Sequence, residues 1–327
     1  MNKNQTRNGK AFEYACLASL YDFLSLQETV TIISSAQLAT AKAFFNSLSS
    51  IEQLNLRKAA DAAVRILVRL EPQLREESEN KPLLMTIQTD AEGMGGDVRD
   101  ILCLRRQNNW EIGLSCKHNH HAVKHSRLSA NIDFGSEWVG CPCRKNYFEA
   151  VFPIFEELSE IRRRAKMTGN RIKWSDLPGN KAERYYRPLL EAFKRELLYI
   201  CANNLEAPKR LIQYLLGRYD FYKVISDEGH QTTRVEAVNI NGTLNRPSAN
   251  HRSIADVGRL RLPTRIYHLD FKPESNNTLL LACDNGWEIS MRIHNASSFV
   301  EPSLKFDVQL ISLPSSIYAQ VEPWDSM

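Results

Sequence analysis

Between Trp110 and Lys117 the chain alternates with period two. Ile112, Leu114 and Cys116 are apolar, and Glu111, Gly113, Ser115 and Lys117 fill the positions between and around them. Successive side chains of a strand point to opposite faces. This stretch therefore predicts a β-strand with one face in a core and the other carrying a carboxylate, two small residues and a lysine. The run Val98–Arg105, joined to it through Arg-Gln-Asn-Asn (106–109), predicts the other arm of a hairpin. Pairing the two brings Asp100, immediately ahead of Ile101 and Leu102, close to the polar face.

Around this hairpin the periodicity changes. Phe12, Cys16, Leu17, Leu20 and Leu24 recur at helical steps, as do Leu54, Ala59, Val64, Leu67 and Leu70. Residues 76–82 form a polar break, and helical patterning returns over 152–164 and 185–216. Beyond Val224, segments 265–271, 278–283, 287–294 and 304–310 read as strands separated by polar turns. The expected architecture is α/β, a mixed sheet flanked by helices, with a β-rich C-terminal region. The expected division is 1–225 and 226–327.

A chain of 327 residues with 43% hydrophobic and 24% charged side chains can bury a sizeable core, so disorder is not the expectation. A formal charge of +4 permits a nucleic-acid partner without demanding one. Seven cysteines, an odd number without framework spacing, suit a reducing compartment. The N-terminal stretch has no apolar signal-like core, and no apolar run approaches the ~20 residues that span a bilayer. A cytoplasmic protein is expected.

An acidic residue at the start of one strand and a lysine on its neighbour suit metal-assisted phosphodiester hydrolysis. Asp100 supplies an oxygen ligand for Mg²⁺, an ion that prefers oxygen and keeps several waters. Lys117 orients a water or stabilises charge gathering on phosphate oxygens. Further carboxylates at hand are Glu111, on the same strand face, and Asp97, in the preceding turn. The residues alone do not choose between them.

This arrangement resembles the PD-(D/E)xK nuclease superfamily. Asp100 opens its strand, and Ser115-Cys116-Lys117 takes the place of the family's tripeptide, with serine where an acid is commoner. The strings GDVRDIL (96–102), EIGLSCKHNHHAVKHSRLS (111–129), DNGWEISMRIHNASS (284–298) and VEPSLKFDVQL (300–310) are similar to those of HaeIII-type type II restriction endonucleases, in blocks spread from Gly9 to Leu310. The resemblance implies a PD-(D/E)xK-like core over 1–225, DNA recognition by 226–327, and Mg²⁺-dependent cutting of double-stranded DNA at GGCC. It also implies a metal-supporting role for Glu13 in the first helix. A palindromic target needs two active sites, which a C2 homodimer supplies.

The basic stretch after Lys117 would then lie against DNA through Asn119, His120, Lys124, His125 and Arg127. In the strand over 287–295, Arg292 and His294 alternate with Ile289, Met291 and Ile293, with Asn295 following. Arginine pairs with guanine O6 and N7, and Lys305 on a later strand could assist. A further basic cluster covers Arg162–Lys166, Arg171 and Lys173. Two rival readings remain: a DNA-binding protein that does not cut, since Ser115 weakens the tripeptide, and a zinc-binding regulatory module built on His118–His125 with Cys141 and Cys143.

Overall fold

A computed structural model describes residues 3–76, 82–89, 97–118, 122–312 and 314–325. The chain divides into two compact units, each assembled from separated segments. The first comprises Met1–His121, Gly217–Leu260 and Ser316–Met327, and the second comprises Ala122–Leu216 and Arg261–Ser315. The expected cut near residue 225 does not coincide with these boundaries. Residues 122–216 leave the first unit, and residues 217–260 and 316–327 return to it.

In the first unit, helices α1 (Lys3–Leu24), α2 (Ala36–Asn46) and α3 (Ser50–Leu70) accompany a seven-stranded sheet. Its strands are β1 (Val30–Ile32), β2 (Leu83–Ile87), β3 (Ile101–Arg105), β4 (Trp110–His118), β6 (Phe221–Asp227), β7 (Thr232–Val238) and β12 (Tyr318–Pro323), in the order β1-β2-β3-β4-β6-β7-β12. The β1–β2 and β4–β6 pairs are parallel and the other four are antiparallel, so the sheet is mixed. Helix α3 begins at Ser49, whose hydroxyl and backbone N–H form a reciprocal capping box with Glu52. Its run of buried alanines (Ala59, Ala60, Ala62, Ala63) lets the helix approach its neighbours closely.

The core of this unit joins Phe12, Cys16, Leu17 and Leu20 of α1, and Leu67 and Leu70 of α3, to Met85, Ile101, Cys103, Ile112, Leu114 and Cys116 of the sheet. Each large aliphatic side chain buried there contributes roughly 1.5–3 kcal/mol. The apolar alternation of β4 is thus consumed by the helical layer, which leaves Glu111, Gly113, Ser115 and Lys117 on the opposite face.

The second unit holds a five-stranded, wholly antiparallel sheet of β5 (Ala122–Ser129), β8 (Ile266–Phe271), β9 (Thr278–Cys283), β10 (Glu288–Asn295) and β11 (Ser303–Ser312), ordered β5-β11-β10-β9-β8. Helices α4 (Lys145–Met167), α5 (Arg187–Asn203) and α6 (Ala207–Leu216) belong to it. Phe134 contacts Trp138, Tyr147 and Phe193 with ring centroids 4.5–5.6 Å apart, and Phe306 of β11 lies 5.1 Å from Phe193. The four strands expected beyond residue 260 are present as β8 to β11. Strand β5, by contrast, lies in the stretch that reads from sequence as a basic, histidine-rich segment.

Candidate active site and nucleic-acid face

Asp100 sits where β3 begins, and its backbone is held from both sides. Its N–H donates to the Leu114 carbonyl (2.7 Å) and its own carbonyl accepts from the Gln88 N–H (2.9 Å). The carboxylate is aimed across β4, where Oδ2 accepts from the Cys116 N–H at 2.7 Å and from Lys117 Nζ at 3.2 Å. Both side chains stay partly open, at 20% and 24% exposure, so the pair is reachable by a substrate. Burial works against the Lys117 ammonium, but Asp100 beside it, with Cys116 and Glu13, holds its pKa above the ordinary lysine value.

Helix α1 brings a third titratable group to this end of the sheet. Glu13 lies one turn before Cys16 and Leu17, the residues that seat α1 in the core. Burial, then the negative charge of Asp100, push the Glu13 carboxyl up from 4.5 to about 8. Lys10 pulls the other way, donating to Glu13 Oε2 at 3.1 Å. Lys10 has no role in the sequence reading. The clue to it was its i, i+3 spacing from Glu13, which places both on one side of the helix.

The buried Glu13 carboxyl beside the partly open Asp100 carboxylate makes a place where a divalent cation would be favoured. It would relieve both the desolvation of Glu13 and its repulsion from Asp100. Two oxygen donors with room for waters and phosphate oxygens fit Mg²⁺, which rarely takes an all-protein cage. Among the described residues, no group of three or more His, Cys, Asp or Glu side chains is arranged to hold a metal.

The other two carboxylates read from the sequence are engaged elsewhere. Arg99 donates from Nε and NH2 to the two oxygens of Asp97 (2.8 Å each) and from NH1 to Glu111 Oε1 (2.7 Å). Gln88 also donates to Asp97 at 3.0 Å. Burial raises the Asp97 pKa, but the Arg99 and Gln88 hydrogen bonds outweigh it, and the net displacement is downward. Gly113 makes this cluster possible, because a Cβ there would lie 2.0 Å from Arg99 Cδ. Glu111 precedes Lys117 by six residues on one strand, a separation of ~20 Å at the usual rise per residue. The structure therefore brings Glu13, Asp100 and Lys117 together and assigns Asp97 and Glu111 to an arginine-centred ion cluster.

In the second unit, register gathers several of the candidate DNA-binding residues on one sheet face. Arg127 of β5 pairs with Lys305 of β11, which pairs with His294 of β10, and Arg292 pairs with Asp307. Asn295 is engaged at both ends of its amide, accepting from Tyr186 Oη at 3.2 Å and from Lys181 Nζ at 3.3 Å and donating to the Ser297 carbonyl. Asn119 and His120 lie outside the described residues, as do the side chains of Lys124 and His125. In the basic cluster of α4, Arg163 and Arg164 both bind Glu160, and Arg171 stacks on Phe299 at 3.8 Å. Cys141 accepts from Asn204 at 2.6 Å and Cys143 from the Gly135 N–H at 3.2 Å.

With this geometry in hand, the likenesses of the chain to known proteins take on meaning. The family model described as HaeIII restriction endonuclease matches residues 9–314. The chain is 41% identical to the type II restriction enzyme HaeIII of Haemophilus aegyptius over 327 residues, covering 99% of this chain and all of that one. No solved structure matches it.

Proposed function

The chain belongs to the HaeIII restriction endonuclease family and is a type II restriction enzyme, and we propose that it hydrolyses double-stranded DNA at GGCC with Mg²⁺ held by Asp100 and Glu13. The observation that carries this reading is the Asp100–Lys117 pair at 3.2 Å with the Glu13 carboxyl buried beside it. When bound, the ion would supply Lewis-acid polarisation of the scissile phosphate and a water of lowered pKa.

The protein's own side chains do the rest. Lys117 keeps its proton under the influence of Asp100, and its ammonium is placed to donate to a phosphate oxygen or to orient the attacking water. The Cys116 N–H fixes one Asp100 oxygen, so the carboxylate holds its direction without a ligand present. Ser115, where the wider nuclease superfamily more often has an acid, is a weak metal ligand, and the buried Glu13 of α1 compensates for it. We assign this site to a PD-(D/E)xK-like core, with the first unit cutting and the sheet face of the second reading sequence. A palindromic target calls for a homodimer on DNA. A restriction enzyme acts where DNA is accessible, in the cytoplasm. Among the described residues no helix is long and apolar enough to cross a membrane.

The test is digestion of a sequenced plasmid with and without Mg²⁺, with the fragment ends mapped. Ends at GGCC only when the ion is present are the expected result. Binding without cutting at any Mg²⁺ concentration would overturn the assignment.

A further inference from the structure

The face of β10 and β11 carries a residue whose sign is wrong for simple phosphate binding. Asp307 lies on the same sheet face as Arg127, Arg292, His294 and Lys305, and it is more buried than the Arg292 and His294 side chains beside it. Its side chain is 12% exposed, against 54% for Arg292 and 29% for His294. Arg292 donates from NH2 to Asp307 Oδ2 at 3.0 Å, whereas His294 Nε2 lies 3.0 Å from the same oxygen without hydrogen-bonding to it and the ring is held through Nδ1 at the Asn295 carbonyl (2.9 Å). Arg292 and Asp307 are direct cross-strand partners, and His294 is two residues along on the same side. The backbone register, and not chance contact between long side chains, sets this geometry.

We propose that Asp307 is a positioning residue for sequence recognition, fixing the direction in which Arg292 leaves the sheet. This rests on the reading that this face meets DNA. A free arginine carries rotamer entropy that ordering on a base edge must overcome. A carboxylate anchoring one NH2 orders the guanidinium before DNA arrives and leaves its other donors available for a bidentate contact. The same carboxylate weakens attraction to any phosphate, so it suppresses random binding while favouring directed binding. A face that only tracked the backbone would gain nothing from Asp307.

These two consequences have opposite signs, which makes the proposal testable on the full-length protein. With magnesium withheld, binding of wild type, Arg292→Ala, Asp307→Asn and the double variant is measured on a GGCC duplex and a scrambled duplex across a salt series. Asp307→Asn should bind the GGCC duplex roughly tenfold more weakly, the scale of one good base contact, and the scrambled duplex more tightly. Its salt slope on scrambled DNA should steepen by about one, the effect of one less negative charge against phosphate. The double variant should match Arg292→Ala on GGCC, because the loss caused by Asp307→Asn there acts through Arg292.

Tighter binding of both duplexes by Asp307→Asn would show that the acid contributes only charge. Weaker binding of both, with a lowered melting temperature, would show that it only supports the sheet. Either result overturns the proposal while leaving recognition by Arg292 standing. If Arg292→Ala loses nothing specific to GGCC, the underlying reading of the face falls and the proposal falls with it.

Discussion

The two sheets handle charge in contrasting ways. In the seven-stranded sheet the polar groups converge at strand ends, where the ladder between β3 and β4 stops and α1 closes over the gap. There Glu13, Asp100 and Lys117 are crowded until the Glu13 carboxyl and the Lys117 ammonium both titrate above their ordinary values. In the five-stranded sheet the charges stand mid-strand on a flat face, spaced by the pairing register, and Arg292 remains half-exposed. A strand end gives convergence in three dimensions, which bond cleavage needs. A sheet face gives a regular array, which suits contact with a repeating polymer. The proposed division of labour follows this difference, with cleavage at the strand end and recognition on the sheet face.

Substitutions can break this contrast, and the largest effect belongs to the strand-end cluster. Asp100→Asn or Lys117→Ala should lower cleavage by about 10²–10³-fold or more, the scale of losing one preorganised charge, while duplex binding and melting temperature stay near wild type. Plasmid nicking alongside thermal unfolding checks both halves. Near-normal cutting by Asp100→Asn would remove it from the site. Melting of Lys117→Ala well below wild type would make that lysine structural.

The Arg99 cluster should show the reverse pattern. Arg99→Ala leaves Asp97 and Glu111 facing each other without their cation, and a loss of about 3 kcal/mol is expected, reduced from the fully buried case because Glu111 is 44% exposed. Urea titration measures it. Cleavage per folded molecule should survive, and its disappearance in a fully folded variant would place Asp97 or Glu111 in the chemistry after all. Next in size, Arg292→Ala should cost roughly 1–3 kcal/mol of binding on GGCC and much less on scrambled DNA. Equal losses on both would move specificity away from β10.

The smallest effect sharpens the comparison through two buried glutamates. Glu196 of the second unit is met by the Arg144 guanidinium at 2.9 Å. Glu71 of the first unit accepts hydrogen bonds from Tyr222 Oη (2.8 Å) and the Asn245 N–H, with the Arg246 charge a weaker influence on it. Burial pushes the Glu71 carboxyl up from 4.5 to about 7. A folded value above the unfolded one means that the native state binds the extra proton, so this stability is present below pH 4.5 and lost as pH rises to about 7. Glu71→Gln should therefore reduce the fall in melting temperature between pH 5 and pH 8, by an amount equivalent to roughly 1–3 kcal/mol. An unchanged pH profile would mean that Glu71 ionises freely in the fold.

Much of the first sheet was legible because its signals are local. The alternation of Ile112, Leu114 and Cys116, and the helical spacing of Phe12, Cys16 and Leu20, each depend on neighbours a few residues away. Asp100 and Lys117 follow from the same hairpin. The partners of Asp97 and Glu111 were not legible, because Arg99 chooses among several nearby carboxylates by side-chain direction and by the clearance that Gly113 provides. Periodicity carries neither. Strand β5 escaped for another reason. Its residues are mostly polar, and it is a strand because β11 supplies its hydrogen-bond ladder from far along the chain. Lys10 was visible as a residue but not as a contact. The interleaved units were hidden as well, since composition shifts near residue 225 while the chain changes units near 121, 216, 260 and 315.

That interleaving also sets a timetable for synthesis. Ser129 of β5 is paired with Ser303 of β11, about 170 residues downstream, and β12 joins the first sheet beside β7 later still. At ribosomal speeds of about 5–20 residues per second, β5 waits roughly 10–30 s for its partner. Neither sheet is complete until nearly the whole chain has emerged. Long-range pairings of this kind fold slowly and leave edges exposed to aggregation in the meantime.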